Sequence, residues 1–153
     1  MGGEKVRGRK RHLVVDTQGF LLAVGVSAAD EDDRDGARWV LRRVPHHWPT
    51  VQHVWADQGY TGADLADALR QADGLRLDIV RHAEDQVGFV VLPRRWVVER
   101  THAWLGRNRR LSKEYEREGE YTATLIYLAS LHHLLRRLAP DPNAPRPYAA
   151  RAA

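Results

Sequence analysis

Short apolar runs separated by polar, turn-forming segments fill the first part of the chain. Residues 13–15 and 20–26 are apolar, and the segment 16–19 between them has the composition of a turn. This pattern predicts a β-hairpin. An acidic stretch then leads into apolar positions with helical spacing, which predicts a helix over about 33–44 that Pro45 ends. The chain is therefore expected to open with a hairpin followed by a helix.

The next segment has the pattern of a strand, a helix and a second strand. Residues 51–56 form a short apolar run that predicts a buried strand, and a turn follows it. Thr61 and Asp64 have the spacing of a capping box, which predicts the start of a helix. Gly74 ends that helix, and 75–80 is the next predicted strand. Strand, helix and strand at this spacing predict a βαβ unit with a parallel pair.

The last part of the chain is predicted to be helical. One helix begins at Pro93 and runs to about residue 109, and a second occupies 121–139, where apolar residues recur with helical spacing. Four prolines follow within the final residues. We therefore expect one α/β domain over 1–139 and a flexible tail over 140–153.

Composition and charge narrow the class of protein. The chain has 153 residues, no cysteine and a net charge of +4, and only three of its 24 basic residues are lysines. It has no apolar run of the length of a membrane span and no signal-peptide pattern, so we expect a protein of the cytoplasm without contact to a membrane. The arginine side chain fits phosphate groups, which favours a polyanionic partner. A biased genome composition is the alternative explanation.

A carboxylate stands just after the predicted strand 51–56. Asp57 follows this strand, and Gly59 permits a tight turn beside it. In open α/β sheets, ligands and catalytic groups collect at the carboxyl ends of strands. Asp is also a common turn residue, so a purely structural role is the alternative interpretation.

A second carboxylate lies among arginines in the predicted helix 93–109. Helical spacing places Arg95, Glu99, His102, Gly106 and Arg110 along one polar face. One interpretation is an ordinary ion pair between Arg95 and Glu99, four residues apart. The other is a metal ligand, Glu99, with arginines nearby that hold phosphate. These residues alone leave both interpretations open.

Basic and aromatic residues alternate around this helix. Residues 94–117 have a net charge of +5, with tryptophan and tyrosine interleaved. Arginines give salt-sensitive affinity for phosphate, and aromatic rings stack on unpaired bases. A solvated charged surface with tryptophans in the core is the alternative. We expect both Trp96 and Trp104 to be mostly buried.

Three blocks of sequence together resemble the DDE (Asp-Asp-Glu) transposases of bacterial insertion sequences. The resemblance covers roughly residues 7–137. Its blocks are Gly-Arg-Lys-Arg-His-Leu-Val-Val-Asp-Thr-Gln-Gly at 8–19, Trp-Ala-Asp-Gln-Gly-Tyr-Thr-Gly at 55–62, and Gly-Phe-Val-Val-Leu-Pro-Arg-Arg-Trp-Val-Val-Glu-Arg-Thr-His-Ala-Trp-Leu at 88–105.

The resemblance implies an RNase H-like mixed sheet flanked by helices and a carboxylate site for two divalent metals, Mg²⁺ or alternatively Mn²⁺, that cut and join DNA. By position, Asp57 matches the second family carboxylate and Glu99 the third, and both are the expected metal ligands. Arg95 and Tyr60 match accompanying motif residues. The expected partners are transposon ends and target DNA, in the nucleoid. The expected DNA contacts are Arg95, Arg100, His102, Arg107, Arg109 and Arg110.

The first family carboxylate has no match in this chain. In the family it lies on a strand that precedes the hairpin, between the hairpin and the parallel pair in the sheet. We therefore expect a sheet that lacks its first strand, and either a truncated remnant or the downstream half of a split transposase. In the second case an upstream transposase segment or another subunit is the partner. The alternative function is an inactive DNA-binding remnant that interferes with intact transposase. A basic RNA-binding protein is a third hypothesis, which only the charge supports.

Overall fold

The protein is a mixed α/β structure. A computed structural model describes residues 8–80 and 95–139, except for the side chains of Ala63 and Arg95. The strands are β1 (Arg9–Val15), β2 (Leu21–Ala28), β3 (His53–Ala56) and β4 (Arg76–Ile79), and the helices are α1 (Asp33–Leu41), α2 (Arg43–His47), α3 (Ala63–Asp73), α4 (Arg95–Gly106) and α5 (Gly119–Leu138). Single 3₁₀ turns cover Gln58–Tyr60 and Arg109–Leu111. No helix of the described residues has both the length and the apolar character needed to cross a membrane.

The predicted hairpin is confirmed. β1 and β2 pair antiparallel, and Asp16 closes their turn because its Oδ1 accepts hydrogen bonds from the backbone N–H of Gln18 and Phe20 at 2.8 and 2.9 Å. Gly19 has a φ of 89°, which favours glycine. β1 begins four residues earlier than its apolar run. Its basic side chains have partners there, since Lys10 Nζ lies 3.0 Å from Asp33 Oδ1.

The predicted βαβ unit is also confirmed. β3 and β4 pair in parallel, from His53 opposite Arg76 to Ala56 opposite Ile79, and α3 connects them. Gly74 ends α3 in the left-handed conformation, with a φ of 64°. The predicted capping box is wrong. The Thr61 hydroxyl donates to the Gln58 carbonyl at 2.5 Å, within the preceding turn, and so does not cap α3.

The described strands form two separate two-stranded sheets. β1 pairs with β2, and β3 pairs with β4. α1 joins the two sheets on one side, where its buried residues pack with α3 and β4. The members of this cluster are Ala37, Leu41, Leu65, Leu69, Leu75 and Leu77.

The opposite face of the hairpin is covered by the two C-terminal helices. Val24 of β2 packs there with Leu105 of α4 and Ile126 of α5, and Leu13 of β1 borders the same cluster. His12 and Val14, the neighbours of Leu13, face α1 instead. Alternate residues of β1 therefore contact opposite layers, as the pleat of a strand requires.

Two helix ends differ from the sequence prediction. α1 ends at Leu41, and Pro45 lies inside the short α2, where the first turn does not need its missing N–H. α4 ends at Gly106, so Arg110 is part of a 3₁₀ turn and leaves the predicted polar face. The Asn108 amide donates to the Leu105 carbonyl at 3.1 Å and closes this end of α4. The predicted start of this helix at Pro93 and the tail over 140–153 lie outside the described residues.

Candidate metal and nucleic-acid site

Asp57 lies directly after β3, in an exposed position. Its Oδ1 accepts a hydrogen bond from the Gly59 N–H at 3.0 Å, and this contact caps the 3₁₀ turn that follows. The bond fixes the side chain at the carboxyl end of the parallel pair. Among the described residues, no hydrogen bond to the Asp57 Oδ2 is seen.

A buried histidine connects the hairpin to this turn. His12 is only 4% exposed, and its Nδ1 lies 3.2 Å from the Tyr60 hydroxyl. Its Nε2 lies 2.9 Å from the Ser27 hydroxyl, so both ring nitrogens have partners. A Cβ on Gly36 would lie 2.2 Å from that Nε2, which shows how closely α1 approaches β1. The turn that carries Asp57 is thereby held against the hairpin.

A second carboxylate borders Asp57, and the sequence analysis did not identify it as a site residue. A Cβ on Gly59 would lie 3.2 Å from Asp57 Oδ1 and 3.4 Å from Asp33 Oδ2, so both carboxylates border the space that this glycine leaves. Burial, with the charges of Asp57 and Asp33, raises the pKa of Tyr60 to about 12. The acidic first turn of α1 was the available signal, but favourable interaction with the helix dipole explained it equally well.

The helix that carries Glu99 contacts the hairpin at its turn. The Thr101 hydroxyl is buried, 2.9 Å from the Gly19 carbonyl oxygen, and the Arg100 Nη2 donates to the Gln18 carbonyl at 2.8 Å. Glu99 and His102 lie on the exposed side of α4. The turn that follows Asp57 thus contacts the hairpin through Tyr60 and His12, whereas α4 contacts it at the 16–19 turn.

Arg100 has a structural role that the sequence analysis missed. Its guanidinium lies between two indole rings, 4.3 Å from the centroid of Trp96 and 4.6 Å from that of Trp104. Trp96 is 43% exposed and Trp104 is partly buried, whereas we expected both to be mostly buried. A planar cation between two rings is stabilised by their electron-rich faces.

The other predicted DNA contacts are spread around the end of α4. Arg107 lines a cavity of about 220 Å³ between the hairpin turn, α4 and α5, and Arg109 is exposed. Arg110 Nη2 lies 2.5 Å from Glu116 Oε1 in an ion pair. His102 is exposed, but partial enclosure of its ring and the nearby Arg11 cation lower its pKa. The side chain of Arg95 lies outside the described part of the structure.

The donors near Asp57 are of the kind that a hard divalent cation prefers, because Asp33 and Asp57 both offer carboxylate oxygens. Two carboxylates are fewer ligands than a complete metal site needs. Within 8–80 and 95–139, no group of three or more His, Asp or Glu side chains has a metal-binding arrangement. The two carboxylates therefore have the chemistry that Mg²⁺ or Mn²⁺ prefers, but they are too few for a complete site.

Comparisons with known proteins identify the family. The family model of the transposase DDE domain matches residues 1–133. The chain is 31% identical over 128 residues to the "Putative transposase for insertion sequence element IS402" of Burkholderia cepacia. The match covers 79% of this chain and 60% of that relative, so the chain spans less than two thirds of the relative's length. No solved structure matches the chain. On the strength of the family match and this identity, the chain belongs to the transposase DDE domain family of insertion sequences.

Proposed function

We propose that this chain is part of the catalytic domain of an insertion-sequence transposase, in which Asp57 and Glu99 bind divalent metal ions that cut and join DNA. The observation that carries the proposal is the position of Asp57. It is an exposed carboxylate at the carboxyl end of a parallel β-pair, with a second carboxylate, Asp33, beside the same glycine.

Two divalent cations, when bound, would hold the attacking and leaving oxygens of an in-line displacement at phosphorus. The protein's part is to position their ligands. The Gly59 N–H orients the Asp57 carboxylate, and the Tyr60–His12 contact holds that turn against the hairpin. Glu99 would approach from α4, which is anchored to the hairpin through Thr101 and Arg100.

The arrangement of strands supports an RNase H-like sheet that is completed from outside the described residues. The hairpin and the parallel pair are separate two-stranded sheets, and α1 spans both. A strand between β1 and β3 would join them into one mixed sheet and cover edges that otherwise invite pairing with another chain. An upstream transposase segment that carries the first carboxylate would fill this position. The domain over 1–139 would then be the later part of the complete domain.

Affinity for DNA follows from the basic surface at the C-terminal end of α4. Arg107 and Arg109 are exposed there, and Arg136 of α5 lines the same cavity as Arg107. Contacts of this kind bind phosphates with an affinity that falls steeply as salt rises. Transposon ends and target DNA are the proposed partners.

A DNA-binding protein without catalytic activity is the second candidate. The small number of ligands favours it, because the described residues contain no group of three metal-ligating side chains. Such a protein would bind DNA and hinder an intact transposase without cutting.

A metal titration separates the two candidates. Mn²⁺ binding to the chain is measured by the broadening of nuclear resonances and of the Mn²⁺ electron paramagnetic signal. Asp57→Asn is expected to lower the affinity at least tenfold. Asp67→Asn, which removes an exposed carboxylate from α3, is the matched control and should bind as the parent chain does. Equal affinity of the Asp57 variant would refute its role as a ligand.

Strand transfer then tests the activity itself. The chain is supplied with the upstream segment, joined or in trans, and incubated with transposon-end DNA and Mg²⁺. Glu99→Gln should abolish strand transfer while DNA binding stays largely intact. An active Glu99 variant would refute the assignment, and DNA binding without cutting by every assembly would favour the second candidate.

A further inference from the structure

The cavity of about 220 Å³ between the hairpin turn, α4 and α5 has cationic and polar walls. We name it the α4–α5 cavity. Arg107 lines it just after the end of α4, and Ser130, His133 and Arg136 line it from one side of α5. Among the described residues that line it, none is an aspartate or a glutamate. The walls therefore offer positive charge and hydrogen-bond donors without a carboxylate to balance them.

Two buried polar atoms of α5 lack partners beside this cavity. The Ser130 hydroxyl and the His133 Nε2 are buried, and neither has a hydrogen-bond partner among the described residues. The two residues are three positions apart, so they lie on the same side of the helix. Both atoms can donate to an oxygen, the histidine in its Nε2–H tautomer. Because a buried polar group without a partner is unfavourable, a bound group that supplies acceptor oxygens here is favoured.

The aromatic rings of the cavity are already in contact with protein groups. The ring centroids of Trp104 and His133 are 4.1 Å apart, and the Arg100 guanidinium lies 4.6 Å from the Trp104 centroid. The Arg137 guanidinium lies 5.1 Å from the centroid of Phe20. A nucleobase or another planar ligand would have to displace one of these groups before it could stack. The walls are therefore better suited to a compact oxyanion than to a planar ring.

The electrostatic surroundings of the cavity also favour an anion. Burial lowers the pKa of His133, and the cations of Arg137, Arg100 and Arg136 act in the same direction. The carbonyl groups of the last turn of α4 would oppose an anion, but the N–H groups that follow this helix bond to two of them. An anion that enters the cavity therefore meets a positive potential.

We propose that the α4–α5 cavity binds one phosphate group, held by the guanidinium groups of Arg107 and Arg136 and by the Ser130 hydroxyl and the His133 Nε2. Guanidinium groups present two parallel donors that match phosphate oxygens. The expected source is a backbone phosphate of DNA, and this assignment of the source rests on the proposed function. Free inorganic phosphate is the other source of the same chemistry.

A phosphate titration of the full chain tests the cavity. Inorganic phosphate is added at constant ionic strength, balanced with sodium chloride, and the amide resonances of Ser130, His133 and residues 105–108 are followed by NMR. They should shift in a saturable way, and Arg136→Gln should raise the dissociation constant at least fivefold. Arg70→Gln is the matched control, because Arg70 is also exposed in the last turn of a helix.

The control variant should bind phosphate as the parent chain does, and Ser130→Ala should raise the dissociation constant at least twofold. Circular dichroism checks that each variant keeps the fold. The absence of a saturable shift in the parent chain, or an equal effect of Arg136→Gln and Arg70→Gln, would overturn the proposal.

A short DNA duplex identifies the source of the phosphate. The duplex should shift the same resonances, and saturating inorganic phosphate should weaken duplex binding at least threefold compared with chloride of equal ionic strength. Duplex binding that leaves these resonances unchanged would overturn DNA as the source and assign the cavity to free phosphate. Both titrations are made without a divalent metal ion, so their outcome is independent of whether Asp57 binds metal or the assembled chain cuts DNA.

Discussion

The Nδ1 of His12 and the hydroxyl of Tyr60 lie 3.2 Å apart, and this hydrogen bond joins the hairpin to the turn that presents Asp57. The two residues are 48 positions apart along the chain. Their contact makes the position of a candidate metal ligand depend on the packing of β1 against α1. A substitution that breaks this contact should therefore change both the free energy of unfolding and the affinity for a metal ion.

Tyr60→Phe removes the hydroxyl and leaves a ring nitrogen of a buried histidine without its partner. We expect a loss of about 1–3 kcal/mol in the free energy of unfolding, which is the usual cost of an unsatisfied buried polar group. Urea denaturation followed by circular dichroism measures it. Tyr115→Phe, at a tyrosine that is 55% exposed, is the control and should change the free energy little. Equal stability of both variants would mean that water replaces the lost hydroxyl.

Gly36→Ala should destabilise the protein strongly. The added Cβ would lie 2.2 Å from His12 Nε2 and 2.6 Å from Cε1, so α1 or the imidazole would have to move. Overpacking of this kind costs typically about 1–3 kcal/mol. Gly106→Ala is the matched control, since a Cβ there meets no atom within 4 Å, and it should leave stability unchanged or raise it by up to about 1 kcal/mol. The two variants are compared by thermal unfolding. A Gly36→Ala variant as stable as the parent chain would contradict the close contact of α1 with β1.

Stability should fall as the pH is lowered below about 6.5. Burial lowers the pKa of His12 from the ordinary value of 6.5, Lys10 acts in the same direction, and Asp33 and Glu31 oppose them. The unfolded chain therefore binds a proton at a pH where the folded chain does not, and the stability present above pH 6.5 is lost as the pH falls toward the lowered pKa.

The slope of stability against pH is obtained from the free energy of unfolding at pH 7.5, 6.5 and 5.5. His102 and His133 have lowered pKa values as well, so a slope in the parent chain alone does not identify the group. His12→Asn should reduce the slope between pH 6.5 and 5.5 whatever its effect on absolute stability. An unchanged slope in that variant would assign the pH dependence to the other two histidines.

Arg100→Lys should lower the free energy of unfolding even though the positive charge is kept. Lysine has no planar group to stack between Trp96 and Trp104, and its ammonium reaches the Gln18 carbonyl less well, so we expect a loss of about 1 kcal/mol. Urea denaturation followed by tryptophan fluorescence measures the loss. Arg107→Lys at an exposed position should leave stability unchanged. Stability equal to that of the parent chain, together with weaker DNA binding, would instead make Arg100 a DNA contact without a structural role.

The local pattern of apolar and turn residues was sufficient to predict most of the described helices and strands. The hairpin, the βαβ unit and the last helix follow from apolar spacing and from turn residues such as Gly74, because those signals act between neighbours along the chain. Helix ends were less predictable. Pro45 is compatible with the first turn of a new helix as well as with the end of an old one, and the sequence does not distinguish the two cases.

The sequence by itself also pointed to the family and to Asp57 and Glu99 as its candidate ligands, and their roles as ligands remain predictions. Only the tertiary structure placed Asp33 beside Asp57, set Arg100 between two tryptophans and left one apolar face of α5 exposed. The physical reason is the same in each case. A side chain's partners are decided by how α1, the hairpin and the C-terminal helices pack, and that packing joins residues whose separation along the chain carries no local signal.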